Sequence, residues 1–422
     1  MHIGVYGSGY LATVMSACLA DFGMPVTCFT DDNGAAYRLS EGNTPFYEKN
    51  LQELLRRNVR AGRLMFSTEL QSFAQRSQVI FVARDAWEGI EEIARGLARM
   101  ASPNSMLVIS TPVPVGTARR LESALHQAGS RMVVVSHPVF LTPGCAVEDF
   151  NWPDRIVLGT PSADAVLILK QIYRPLVMRG VPVIVTNFET AELVRASATA
   201  FVATKVSFIN EIAKVCERVN ADAVDLGLAL GLDKKIGPRC LQAGAAFGGA
   251  FVESDMESLV ALATENGVTL KILNAAREVN RSMSDLVLEK IATAIQSVPG
   301  KEVGILGLAF KPHTNSVAGS ASIAVAKRLA FSGAHVRAYD PVALPDAKLQ
   351  LDSMVKYCDT PYAAADGADA LVVGTGWPEF RALDFERIKR TLRQPVIIDT
   401  KNLLDSARLR AMGFQYIGVG RS

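Results

Sequence analysis

The sequence predicts an α/β protein: two doubly wound parallel-sheet domains joined by a helical domain with a long central helix. Three observations lead there. The chain opens on a strand, a glycine-rich turn, a helix and a second strand. Short apolar runs then alternate with helical segments, and the same alternation restarts after Gly300. Such alternation implies a parallel sheet covered on both faces. Between the two stretches, apolar residues recur at helical rather than strand spacing.

The first strand is His2–Tyr6. Gly7-Ser8-Gly9-Tyr10-Leu11-Ala12 follows, then a helix to about Phe22 and a second strand at Val26–Thr30. This is the fingerprint of a Rossmann-like dinucleotide-binding unit. Gly7 and Gly9 give the tight turn and let the backbone approach a pyrophosphate. The N–H groups of Tyr10 and Leu11 open the helix that would face it. Ala12 stands at the third glycine position. The acid that would hold the adenosine ribose is expected at the end of the second strand. Thr30 is there, with Asp31 and Asp32 after it, so a one-residue shift lets Asp31 reach the 2′-hydroxyl. Those acids would repel a 2′-phosphate, which favours NAD over NADP. The alternative is a fold of this class kept for packing, with no cofactor. Buried-strand runs continue at Val79–Ala83, Met106–Ser110, Met132–Ser136 and Ile156–Gly159.

From Glu189 the period changes. Leu193, Val194, Ala198, Phe201, Val202, Phe208, Ile209, Ile212, Val215, Cys216 and Val219 fall at helical spacing. The stripe is wide, which predicts a helix buried on more than one side, between two domains or two subunits. Helical patterns run to about Ser297, and Val298-Pro299-Gly300 is a break. Strands are then expected at Val303–Leu308, His335–Tyr339, Ala370–Val373 and Val396–Asp399. The expected domains are 1–187, 188–298 and 299–422.

At 422 residues, the chain suits two or three domains. The formal net charge of +2 gives no electrostatic footprint for nucleic acid. Six scattered cysteines with no CxxC pair argue against a disulfide framework or zinc site and fit a reducing cytosol. His126, His313 and His335 show no ligand spacing, so no metal is expected. MHIGVYGSG enters a strand at once, leaving no room for a signal peptide. No apolar run reaches the roughly 18–20 residues that span a membrane. The expectation is a cytoplasmic protein.

Several collinear segments carry a more specific signal. They include Tyr47-Glu48, Leu51 with Glu53-Leu54-Leu55, and Ala61-Gly62-Arg63-Leu64. Pro114-Val115-Gly116-Thr117 and the block Phe140-Leu141, Gly144, Ala146–Phe150 and Pro153–Val157 follow. Then come Glu189–Leu193, Ala200–Glu211, Gly304–Pro312, Tyr339-Asp340-Pro341, Trp377 with Glu379-Phe380, and Gly413–Arg421. Together these resemble the UDP-glucose/GDP-mannose dehydrogenase family along the whole chain. The resemblance implies oxidation of the sugar C6 alcohol of a nucleotide sugar to a carboxylate with two NAD⁺. The first hydride transfer makes an aldehyde. A cysteine thiolate adds to it, the thiohemiacetal loses a second hydride, and a positioned water hydrolyses the thioester.

The positions that the resemblance assigns to this chemistry are altered. In Ala246–Asp255 the nucleophile position holds Phe251, while the supporting aspartate is kept as Asp255. On the central helix Arg195 stands for the lysine and Thr199 for the asparagine, one turn apart on one face. Arginine stays charged and does not mimic an ammonium point charge. Val139 takes the water-positioning glutamate's place. Pro112 takes that of the threonine before the PVGT turn, with Thr111 adjacent. Lys235 falls at the sugar-binding arginine. Cys240 is read as a buried small hydrophobe rather than a substitute nucleophile. The loop near the nicotinamide half reads Arg84-Asp85-Ala86-Trp87, a changed shape and charge.

More is kept on the nucleotide-sugar side. Phe247-Gly248-Gly249 retains a turn whose backbone can approach a ligand. Phe310-Lys311 retains a lysine near the sugar and phosphates, or a solvated loop lysine. Thr314–Ser320 lacks the charges of the family's corresponding run. Arg421 is an anion contact or a surface charge.

The candidate cofactor residues are therefore Gly7, Gly9, Tyr10, Leu11, Asp31 and Thr111, for NAD. The candidate substrate residues are Lys235, Phe247, Gly248, Gly249, Phe310 and Lys311, for a nucleotide sugar, above all a UDP-sugar. The leading expectation is a catalytically degenerate family member, a pseudoenzyme that binds a nucleotide sugar or pairs with an active paralogue in polysaccharide or glycoconjugate synthesis. A homodimer through the central helix is expected. The alternative is an active NAD-dependent nucleotide-sugar dehydrogenase with altered, two-electron chemistry. A structural assembly subunit with no ligand ranks third.

Overall fold

The structure is a computed structural model. It describes residues 1–421, and the side chains at positions 250 and 251 lie outside the description. The chain divides into two compact units, Met1–Ser197 and Ala198–Ser422.

The first unit holds an eight-stranded sheet in the order β3-β2-β1-β4-β5-β6-β7-β8. Its strands are β1 (Ile3–Tyr6), β2 (Val26–Phe29), β3 (Leu64–Ser67), β4 (Val79–Val82), β5 (Met106–Ile109), β6 (Val133–Ser136), β7 (Ile156–Gly159) and β8 (Val183–Thr186). Side chains alternate faces along each strand. Val79 and Phe81 of β4 therefore enter one core with Val14, Met15 and Leu19. Ile80 and Val82 enter the other, with Phe73, Leu97 and Phe188. Each fully buried side chain of this size contributes about 1.5–3 kcal/mol, so two-sided burial explains the unbroken apolar runs. The sheet is not wholly parallel, as the sequence suggested: β6 meets β7 antiparallel at Ser136 and Gly159. Gly159 has to be small, since a Cβ there would sit 2.6 Å from that of Ala191.

Helix α1 (Tyr10–Asp21) follows β1, and every residue from Leu11 to Ala20 is buried. Helix α2 (Thr117–Gln127) follows the PVGT turn. Helix α3 (Phe188–Val219) runs for 32 residues, about 48 Å at 1.5 Å per residue. Its wide stripe was expected to be buried on several sides. Within the chain Ala200, Ala203, Ile209, Ala213 and Cys216 are buried, whereas Phe201 is 67% exposed and Val215 53%.

In the second unit, helices α4 (Ala250–Glu265) and α5 (Lys271–Ile295) precede a six-stranded parallel sheet of order β11-β10-β9-β12-β13-β14. Its strands are β9 (Glu302–Leu306), β10 (His335–Tyr339), β11 (Val355–Tyr357), β12 (Ala370–Val373), β13 (Val396–Asp399) and β14 (Gln415–Gly418). Val287, Ile291 and Ile295 of α5 pack on one face with Ala370 and Val372 of β12. Leu371 and Val373 face the other core. Among the described residues, no helix is long and apolar enough to cross a membrane.

Candidate functional site

At the end of β1, Gly7 adopts φ +135°, and a Cβ there would lie 2.7 Å from the carbonyl oxygen of Ala83. The turn delivers the chain to α1 with Gly9 as a capping residue that has no side chain to offer. The helix's first amide groups are nevertheless satisfied. Tyr10 N–H donates to Asp85 Oδ2 at 3.0 Å, and Leu11 N–H donates to Asp85 Oδ1 at 3.1 Å. The carboxylate stabilises the positive end of the helix dipole. A pyrophosphate would need these same donors. In this arrangement the residues present do not fit it.

Asp85 is held there by its neighbours. Arg84 N–H donates to Thr111 Oγ1 at 2.9 Å, and that hydroxyl donates to the Val82 carbonyl at 3.1 Å. Thr111, a candidate cofactor contact, is thus buried and tethers the 84–89 segment. Asp32 caps its own helix by accepting Gly34 N–H at 2.7 Å, and Asp31 stays exposed at the end of β2. Tyr10 donates its phenol to Glu48 Oε2 at 2.5 Å. Glu48 also accepts Gly144 N–H at 2.6 Å and Ala146 N–H at 3.0 Å. Two segments singled out by sequence, Tyr47-Glu48 and Gly144–Phe150, therefore meet at one carboxylate.

A second junction joins the PVGT turn to the Glu189–Leu193 run. Glu192 accepts Gly116 N–H at 2.5 Å and Ala118 N–H at 2.7 Å, capping α2 from a distant helix. Burial pulls the Glu192 carboxyl above its ordinary range, opposed by those two donors.

The residues expected from the sequence to stand at catalytic positions are engaged by other protein groups. Arg195 Nη1 donates to the Val139 carbonyl at 2.6 Å, and the Val139 side chain is 8% exposed. In the second unit, Thr199 Oγ1 donates to Asp255 Oδ2 at 2.9 Å. The Phe251 side chain lies outside the described residues. Cys240 departs from expectation: it is partly exposed, with φ +66°, rather than a buried filler. Lys235 is exposed on a turn in which its N–H donates to Asp233 Oδ1 at 2.9 Å.

The glycine turn of the second unit is approached by protein. A Cβ on Gly248 would lie 2.2 Å from the Gly319 carbonyl oxygen. Gly249 has φ +109° and faces the Phe310 ring, 3.1 Å from a virtual Cβ. Phe247 exchanges hydrogen bonds with Asn280 through both backbone groups, at 2.8 and 3.2 Å. A cavity beside this turn is lined by Phe247, Gly249, Glu253, Arg277, Asn280 and Arg281. Lys311 stands half-buried next to Phe310. Arg421 is not a free anion contact, because its Nε pairs with Asp222 Oδ2 at 2.8 Å.

The sequence suggests an ion pair between Arg84 and Asp85; instead Arg84 donates to the Glu88 carbonyl and Asp85 accepts the Tyr10 and Leu11 amides, and the capping role of Glu192 was not foreseen. An acid two residues beyond the buried run Val79–Ala83 was the available signal for Asp85.

A glycine turn feeding a buried helix, and a second parallel sheet whose loops pack on a glycine turn, define a protein with two Rossmann-like domains. The chain belongs to the UDP-glucose/GDP-mannose dehydrogenase family. Its NAD binding domain matches residues 1–177, its central domain 189–282 and its UDP binding domain 304–406. The chain is 36% identical over 431 residues to UDP-glucose 6-dehydrogenase TuaD of Bacillus subtilis (strain 168), covering 99% of this chain and 93% of the relative. It is also 36% identical over 436 residues to UDP-glucose 6-dehydrogenase of Rhizobium meliloti (strain 1021), covering 100% of both. The solved UDP-glucose dehydrogenase of the hyperthermophilic archaeon Pyrobaculum islandicum superposes with a TM-score of 0.91 at 30% identity, covering 100% of this chain and 98% of that one.

Proposed function

We propose that the protein is an NAD-dependent nucleotide-sugar oxidoreductase with altered chemistry, taking a UDP-glucose-like substrate through a two-electron oxidation at most. The observation that carries this reading is end-to-end relatedness, at 36% identity, to proteins named UDP-glucose 6-dehydrogenase. The residues at the aligned catalytic positions set the limit. A four-electron oxidation through a thioester needs a thiolate to add to the aldehyde. Phe251 has no lone pair for that step. An arginine does not stand in for a lysine in proton transfer, and Arg195 spends a donor on the Val139 carbonyl. Exposed Phe201, Phe208 and Val215 on α3 support a homodimer built on that helix. We assign residues 1–187 to the dinucleotide, 188–298 to assembly and 299–422 to the nucleotide sugar, in polysaccharide or glycoconjugate synthesis.

A second reading is a nucleotide-sugar-binding or partner subunit without turnover. The specific observation favouring it is the Asp85 carboxylate on the Tyr10 and Leu11 amides. The test is incubation with UDP-glucose and NAD⁺, following NADH absorbance and identifying the product by mass spectrometry. NADH with an aldehyde product supports the first reading. UDP-glucuronate overturns the two-electron limit. Binding of UDP-glucose with no NADH formed leaves the second reading.

A further inference from the structure

Asp85 sits at the N-terminus of α1, where the pyrophosphate of a dinucleotide would stand. Gly9 lacks a Cβ, and Asp85 Oδ2 lies 2.1 Å from where that Cβ would be. Its two oxygens divide the first two amides of α1 between them, at 3.0 and 3.1 Å. Among the described residues Asp85 makes no ion pair; the helix N-terminus is what its charge meets. The segment bearing it is a short turn. Arg84 Nη1 donates to the Glu88 carbonyl at 2.5 Å, Ile90 N–H to the Trp87 carbonyl at 3.1 Å, and Gly89 has φ +74°. Its start is pinned by the Thr111 hydroxyl, and its end is a glycine in the left-handed region. Trp87, at the crest, is 43% exposed.

We propose that Asp85 is an internal anion that occupies the pyrophosphate position of the dinucleotide turn, so that a dinucleotide enters only when the 84–89 segment withdraws. Two anions cannot share two N–H donors, and bringing like charges together is unfavourable. The proposal rests on the reading of this turn as a dinucleotide site. It makes Asp85 a brake on that site, expressed as affinity rather than as chemistry.

The test compares the full-length protein with Asp85→Ser and Asp85→Asn. NADH is titrated by fluorescence, and ADP-ribose, which carries the pyrophosphate without nicotinamide, by calorimetry. Asp85→Ser is expected to bind both probes about tenfold or more tighter than wild type, the direction expected when a competing like charge is removed. Asp85→Asn, which keeps one acceptor and loses the charge, is expected in between and gives the same comparison where the serine variant folds poorly. UDP-glucose affinity, measured alongside, is expected to stay unchanged. Equal, measurable binding by wild type and variants overturns the brake and leaves the dinucleotide site standing. Binding of neither probe by any of the three proteins overturns both the brake and the dinucleotide reading.

Discussion

Asp340 accepts the indole N–H of Trp377 at 3.2 Å, deep in the second unit. The same carboxylate accepts the amides of Leu308 at 2.7 Å, Ala309 at 3.0 Å, Val342 at 3.0 Å and Ala343 at 2.8 Å. Three segments recognised separately in the sequence, Gly304–Pro312, Tyr339–Pro341 and Trp377, are thus tied by one side chain that is 1% exposed.

Asp340→Asn replaces one accepting oxygen with a donor and faces it with N–H groups. The expected loss is about 2–4 kcal/mol of unfolding free energy, read from urea denaturation monitored by tryptophan fluorescence. Trp377→Phe, which keeps the ring and removes one donor, is expected to cost about 1–2 kcal/mol. Equal losses for the two would contradict a carboxylate that serves five donors.

His137 sets an acid limit. It is buried, stacked on Tyr173 at 5.3 Å, with Nδ1 3.3 Å from Ser110 Oγ. Burial pushes its imidazole from 6.5 down to about 4. The unfolded chain takes the proton more readily, so acid favours unfolding. The stability from neutral His137 is present above pH 6.5 and is lost as pH falls towards 4, by up to about 3 kcal/mol. His137→Phe is expected to flatten the stability–pH curve between those values, as chemical denaturation at a series of pH values would reveal.

Glu192 caps α2 from the start of α3, so Glu192→Ala leaves the amides of Gly116 and Ala118 without their acceptor. About 1–2 kcal/mol of stability is expected to go, as for other lost helix caps. Hydrogen exchange at those two amides should accelerate in the variant, and unchanged protection there would refute the capping role.

Phe251→Cys alone is not expected to produce UDP-glucuronate, because Arg195, Thr199 and Val139 remain. Mass spectrometry of a reaction with UDP-glucose and NAD⁺ decides this. Appearance of the uronate would show that the thiol was the single missing element.

The architecture was legible because two-sided burial writes unbroken apolar runs, as in Val79–Val82 and Ile397 with its neighbours. Edge strand β8 escaped notice for the opposite reason: Ile184 is 46% exposed and Val185 48%, so burial imposes no pattern there. The motif residues were legible as names, yet their partners were not. Glu192 meets amides 74 and 76 residues upstream, and Asp85 meets amides 74 and 75 residues upstream. Such contacts have no period for a sequence to display. Cys240 was misjudged because it lies in an irregular loop with φ +66°, where no apolar period reports burial.

Glu48 gathers Tyr10 from behind it and Gly144 and Ala146 from ahead, the last at a separation of 98 residues. During synthesis its carboxylate leaves the ribosome long before the Gly144 and Ala146 donors exist. At about 5–20 residues per second, the wait is roughly 5–20 seconds. In that interval Tyr10 is the donor already made, and the loop that completes the Glu48 cluster arrives between β6 and β7, before the sheet itself is complete.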